Sequence, residues 1–217
     1  MKKIVILGSG GNCIDILDTI NEINSISKKY DCIGFLDDNP DQIGKEFYGV
    51  RVIGSLDSAV DFADAVFVNG IGSSLNFWKK KSIIQKTMIP LERFETIIHP
   101  SASVSSFSHI GIGTVIFQNV TITSNVRIGN HVIILPNSVI SHDDVIGDYT
   151  CITGGVCISG GVTIGESCYL GTNCSIIGNI KIGNNCLIGM GSNVLRDVDD
   201  NSVVMGNPAK YKRKTIE

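Results

Sequence analysis

From Val104 to Val194 an aliphatic residue recurs at every sixth position: Val104, Ile110, Ile116, Ile122, Ile128, Ile134, Ile140, Ile146, Ile152, Ile158, Ile164, Leu170, Ile176, Ile182, Ile188 and Val194. Four places after most of them stands a small or β-branched residue, such as Thr114, Val120, Val132, Ser138, Val156 or Cys168. Glycine often follows the aliphatic position directly, as at Gly111, Gly129, Gly147, Gly165 and Gly183. Neither the 3.6-residue helical period nor simple strand alternation gives a strict six; an internal repeat does. A six-residue unit is a short strand plus a turn that glycine relieves. Three units close a triangular coil, with the aliphatic residue inside and the small one near the corner. Coils stacked about 4.8 Å apart through parallel pairing make a prism of roughly five coils. The register predicts no inserted loop between residues 104 and 199.

The first half has another rhythm. Residues 3–7 predict a strand, 8–12 a glycine loop and 13–26 an amphipathic helix. A second strand over 32–36 runs into Asp37-Asp38-Asn39-Pro40. Short strands near 50–53, 65–68 and 96–98 follow, with a helix near 75–88 carrying Trp78. Strand–helix alternation implies a small parallel α/β sheet. The chain therefore divides into an α/β domain over residues 1–97 and a parallel β-helix with a closing segment over 98–217, the period changing near His99-Pro100.

Composition narrows the partners. The 217 residues carry a formal charge of −3, which gives no electrostatic reason for a nucleic-acid or anionic-membrane partner. No apolar run approaches the ~18 residues a membrane span requires. The opening Met1-Lys2-Lys3-Ile4-Val5-Ile6-Leu7-Gly8 imitates a signal peptide, but its apolar run stops after Leu7 and enters a glycine loop, as a buried strand does. Seven cysteines without a CxxC read as free thiols in a reducing cytoplasm.

Candidate chemistry sits in both halves. Gly8-Ser9-Gly10-Gly11 between strand and helix presents backbone N–H groups to a phosphate, or is simply a tight turn. Cys13 stands where GxGxxG would have its last glycine, and a half-sized domain suits one nucleotide. Asp37 and Asp38 could hydrogen-bond a base or ribose, or be solvated turn residues. Of four histidines, His99 reads as structural, and His109 and His131 as surface residues. Their spacing offers no zinc site, and Cys168, Cys174 and Cys186 take small inward positions rather than ligand positions. His142 lies on a turn, in Ser141-His142-Asp143-Asp144. Residues one coil apart stack, so Gly160 and Gly178 fall over His142 and leave a groove for a thin ligand arm.

A glycine loop and Phe-Leu-Asp-Asp-Asn strand end fused to hexapeptide repeats resembles, over essentially the whole chain, the bacterial nucleotide-sugar acetyltransferases of the bacillosamine and perosamine pathways, with the related sialic-acid O-acetyltransferases. The resemblance implies a half-Rossmann domain that holds the nucleotide-sugar and a left-handed β-helix that holds acetyl-CoA. Substrate contacts would fall on Gly10, Gly11, Asn12, Asp37, Asp38 and Gly72, with Gly70 as the alternative to Gly72. Cofactor contacts would fall on Cys151, Gly160, Thr172 and Met190. His142 would be the general base and Asp143 its partner. The chain departs from the family's common residues at Asn12 and Cys151, both usually His, and at Asp143, which is Glu in the bacillosamine enzymes. Residue types differ at Thr172 and Met190 also, which leaves backbone contacts there. A covalent acyl-enzyme on Cys151 is not expected, because no Lys, Arg or His adjoins it in sequence. The segment 206–210 resembles the family's closing segment. The basic cluster Lys210, Lys212, Arg213 and Lys214 suits coenzyme A phosphates or a disordered tail equally. Relatives bind acetyl-CoA between subunits, which implies a homotrimer. The expected activity is acetylation of the 4-amino group of a nucleotide-linked 4-amino-4,6-dideoxy sugar. O-acetylation of a sialic-type sugar is the alternative, and a non-catalytic nucleotide-sugar-binding partner is a third reading.

Overall fold

The computed structural model describes residues 1–216. The first domain is a five-stranded sheet ordered β3-β4-β2-β1-β5, with β1 at Lys2–Leu7, β2 at Tyr30–Leu36, β3 at Glu46–Phe47, β4 at Val50–Gly54 and β5 at Val66–Asn69. All neighbours are parallel except β3 and β4, a hairpin that the sequence pattern did not reveal. Its turn residues Tyr48 and Gly49 both have positive φ, as the tight turn that matches strand twist requires. Helix α1 spans Gly11–Ile26, beginning two residues earlier than the pattern suggests. The expected helix over 75–88 is a 3₁₀ turn at Phe77–Lys79 followed by a short α2 at Lys80–Lys86.

The second domain is the β-helix. Two-residue strands alternate among three faces, each pairing in parallel with the strand one coil above and below. One residue of each strand points in, and Ile116, Ile134, Ile140, Ile152, Ile158 and Ile188 are buried to within 1% in a single aliphatic core. Turn residues repeat a left-handed conformation, occupied by Asn119, Asn125, Asn137, Asn173, Asn179 and Asn185. Asn is the non-glycine residue that best tolerates this region, which explains the asparagines at hexad corners.

The first domain covers one face of the prism, here the docked face. Its strands include Val115–Ile116, Ile133–Ile134, Cys151–Ile152 and Tyr169–Leu170. Helix α1 is packed between the sheet and this face: Cys13, Ile16, Leu17 and Ile20 share a cluster with Ile4, Ile6 and Phe35 on one side and Val115 and Ile133 on the other.

Four expectations change. The strand at Ile97–Ile98, β6, pairs with Val115–Ile116 and so opens the β-helix instead of ending the α/β sheet. No loop is inserted up to residue 199, but the last coil is shortened: Val198 pairs with Ile182, and Lys181 meets Asp197 at a separation of 16 residues. His131 is buried, not a surface residue, because Phe94 and Tyr149 flank its ring where the first domain docks. The basic C-terminal segment is an ordered strand, Lys210–Lys214, antiparallel to Ser202–Met205 at the end of the docked face. Among the described residues no helix is long and apolar enough to cross a membrane.

Candidate active site

The chain leaves β1 through Gly8 and enters α1 at Gly11. Gly8 has a fold reason to be glycine: its φ is +93°, and a Cβ there would lie 2.9 Å from Cys13 Sγ. Gly10 and Gly11 have none. Gly10 is extended at φ −77°, Gly11 is helical, and a Cβ on either would meet nothing within 4 Å. No side chain caps α1. Its first N–H groups are thus bare and face open space, an arrangement suited to a phosphate at a helix N-terminus.

The two strand-end carboxylates differ. Asp37 Oδ2 accepts from the N–H and hydroxyl of Ser9, at 2.8 and 2.6 Å, and Oδ1 accepts from Asn39 N–H at 2.9 Å. It therefore shapes the glycine loop. Asp38 Oδ1 accepts from Leu56 N–H at 2.9 Å, and no donor among the described residues takes its other oxygen. Asp38 is the better placed of the two to receive a ligand hydroxyl or base N–H.

These residues line a cleft of about 530 Å³ whose opposite wall is the docked face: Ile133, Leu135, Cys151, Ile152, Thr153 and Tyr169. Gly70 and Gly72 both line it. A Cβ on Gly70 would strike Cys13 of α1, whereas one on Gly72 would lie 2.5 Å from Cys151 Sγ. Asn12 Nδ2 donates to Gly72 O at 3.2 Å, joining the two glycine loops across the cleft. Sequence inspection finds no basic neighbour for Cys151, but the fold supplies one. Lys80, fully buried, places Nζ 3.7 Å from Cys151 Sγ.

His142 and Asp143 lie elsewhere on the prism. They occupy the corner after Val139–Ile140, between the two faces that the first domain leaves uncovered. His142 Nδ1 is 2.8 Å from Asp143 Oδ2, and its side chain is 65% exposed. Asp143, with φ +65°, takes the left-handed slot that Asn125 takes one coil below, and Asn125 Nδ2 donates to Asp143 Oδ1 at 2.7 Å. That hydrogen bond and the one with His142 hold the Asp143 carboxyl below its ordinary range. An ionised carboxylate only accepts, so Nδ1 carries a proton, and in the neutral imidazole it is then Nε2 that presents the lone pair. Gly160 backs the ring, since a Cβ there would lie 2.5 Å from His142 Cε1 and 2.6 Å from Nε2.

The residues expected to hold the cofactor are split over two corners. Gly160 is beside His142. Thr172 and the exposed Met190 stack on the corner between the docked face and the next, with Thr172 Oγ1 3.2 Å from Thr153 Oγ1 at the cleft rim. Cys151 is under the cleft. Within one chain these do not converge.

In sequence Asp144 reads only as an adjacent carboxylate on which Asp143 could lean, but the Asp143 carboxyl is bonded to Asn125 and His142 instead. Asp144 occupies the inward column of Val126 and Val162, where a carboxylate breaks an otherwise small or β-branched series. That break was the available signal. It is fully buried; Oδ1 accepts from Val162 N–H at 2.8 Å and Oδ2 has no partner. Burial pushes its carboxyl up to about 6.

Two outcomes follow from this corner. Gly160→Ala should keep the β-helix folded but push the exposed imidazole off the corner, so turnover should fall about tenfold or more with little change in melting temperature. The folded protein binds the Asp144 proton more tightly than the unfolded chain, so Asp144 favours folding least above about pH 6, where its buried carboxyl is ionised. Asp144→Asn should raise the melting temperature at about pH 7.5 and lose that advantage toward about pH 4. A constant offset across this range would refute the assignment.

Comparison with known proteins completes the picture. The PglD N-terminal domain family matches residues 3–86, and the bacterial transferase hexapeptide (six repeats) family matches residues 161–196. No curated protein matches the chain. Among solved structures, the acetyltransferase domain of PglB from Neisseria gonorrhoeae FA1090 superposes with a TM-score of 0.85 at 23% identity, over 98% of this chain and 100% of that one. WeeI from Acinetobacter baumannii AYE gives 0.82 at 24%, over 98% and 100%. A mutant of perosamine N-acetyltransferase from Caulobacter crescentus, in complex with CoA and GDP-perosamine, gives 0.84 at 25%, over 99% and 98%. A first domain matched by the PglD N-terminal domain family and a left-handed β-helix matched by the bacterial hexapeptide transferase family thus occur here in one two-domain fold that is shared from end to end with those acetyltransferase structures.

Proposed function

We propose that this protein transfers the acetyl group of acetyl-CoA to the 4-amino group of a nucleotide-linked 4-amino-4,6-dideoxy sugar, with His142 as general base. The His142–Asp143 pair over the bare Gly160 backbone carries this reading. The likeness to a perosamine N-acetyltransferase that binds CoA and GDP-perosamine supports the substrate class. The bare N-terminus of α1 takes the diphosphate, and Asp38 takes a base or ribose donor.

The amine attacks the thioester carbonyl. His142 Nε2 removes a proton as the C–N bond forms, and the C–S bond breaks as the thiolate leaves and is protonated. Asp143 fixes the tautomer and stabilises the imidazolium that forms. Gly160 and Gly178 keep the adjoining column free of side chains, so the thin pantetheine arm can lie against backbone.

The same proposal makes the enzyme a cytoplasmic homotrimer. The cleft opens on the docked face, while His142 stands on the corner opposite that face. A substrate held in the cleft of one subunit then meets the His142 of a neighbour, and acetyl-CoA lies between two β-helices, touching Gly160 of one and Thr172 and Met190 of the other.

Activity is read as thiol release from acetyl-CoA in the presence of amino-sugar nucleotides. His142→Ala should lower kcat by about 10²–10⁴ at saturating substrates, and unchanged kcat would remove His142 from the chemistry. Mixing subunits of His142→Ala with subunits of Asp38→Ala should restore activity, since some interfaces then pair an intact cleft with an intact His142. No recovery on mixing, with exchange verified, would mean each chain acts alone.

A further inference from the structure

Beneath the cleft lies a pair of groups that the proposed transfer does not use. Lys80 opens α2, and its side chain is completely buried. Nζ donates to the carbonyl of His131 at 2.5 Å and sits 3.7 Å from Cys151 Sγ. None of the ion pairs among the described residues includes Lys80. An ammonium without a counter-carboxylate is costly to bury, so desolvation drives this amine toward its neutral, nucleophilic form. Cys151 is a free thiol that lines the open cleft, close under the Gly72 backbone. Cys151 is only 3% exposed but lines the cleft, so the route to its sulfur suits a reagent as small as hydrogen peroxide, with Lys80 Nζ beside it.

We infer that Cys151 and Lys80 form a modification site for hydroperoxides, which convert the pair to a covalent Nζ–O–Sγ link. In the first step the thiol attacks hydrogen peroxide: an S–O bond forms, the O–O bond breaks, and water leaves with the thiol proton, giving the sulfenic acid. In the second, the sulfenic oxygen bonds to Lys80 Nζ. One hydrogen leaves the amine and one leaves the sulfenic acid, and a second peroxide takes both with two electrons to become two waters. The 3.7 Å gap is too wide for a direct N–S bond without a large shift of α2, but one inserted oxygen spans it after a modest approach. The link would pin the start of α2 to the docked face under Gly72, making the cleft floor sensitive to oxidant in a way that thiol reductants reverse.

The test uses the full chain carrying Cys157→Ser, which removes the exposed thiol. The protein is treated with hydrogen peroxide, alkylated and mapped by peptide mass. The expected product joins the peptides containing Lys80 and Cys151, with a mass of their sum plus one oxygen and less two hydrogens. It disappears with dithiothreitol and does not form in Cys151→Ser, a near-isosteric change that should leave the fold intact. In Lys80→Met, if its melting transition shows it folded, Cys151 should proceed to sulfinic acid. The inference fails if the parent protein itself yields Cys151 as sulfinic acid, sulfonic acid or a disulfide with Lys80 free. It fails equally if Cys151 stays a thiol under peroxide that oxidises free cysteine in the same tube. Neither failure touches the acetyl-transfer reading, which the thiol-release assay reports separately.

Discussion

Everything in this molecule depends on the parallel pairing of each coil with the next. A two-residue strand is too short to be stable alone. Sixteen of them persist from Ser103–Val104 to Asn193–Val194 because each joins its neighbours above and below and contributes an inward aliphatic residue to one continuous core. The pairing also fixes position. Residues one coil apart must stand over one another, which puts Gly160 against the His142 ring and Asn125 within hydrogen-bond distance of Asp143. The candidate base is therefore held by the repeat itself, with its carboxylate partner in a slot that the neighbouring coil fills with asparagine.

The second constraint is the choice of face. The first domain buries α1 against the docked face, and this contact creates the cleft, the burial of His131 and the enclosure of Lys80. Burial pushes the His131 imidazole down to about 4, so a histidine that resembles a surface residue in sequence is neutral packing against Phe94 and Tyr149. Docking on this face also leaves His142 on the opposite corner. The shared-site trimer of the proposed function is a response to that separation.

Polar groups inside an aliphatic prism are costly unless satisfied. Thr114, Ser138 and Thr150 satisfy their hydroxyls by donating to carbonyls of neighbouring turns while accepting from the next coil's N–H. Asp144 follows the same scheme with one oxygen and leaves the other unpartnered, directly after the His142–Asp143 pair. It is the one place where the core departs from the repeat's own rule beside the candidate chemistry.

The family resemblance implied the pairing of His142 with Asp143; the sequence by itself determined the β-helix, the α/β character of the first domain and the glycine loop. Each is a local or strictly periodic feature: a period of six defines coils, and stacking follows from arithmetic. It also placed the glycines over His142 correctly, for the same reason. Only the tertiary structure decided how the two domains meet, because docking depends on which outward residues of which face are covered, and the period treats all three faces alike. Lys80 and Cys151 are 71 residues apart and nothing in either neighbourhood points to the other. Likewise, the period could not assign Asp37 to the loop and Asp38 to the cleft, or show that the last coil is shortened where Val198 meets Ile182. Contacts across domains and departures from the repeat are set by packing, and packing exists only once the chain has folded.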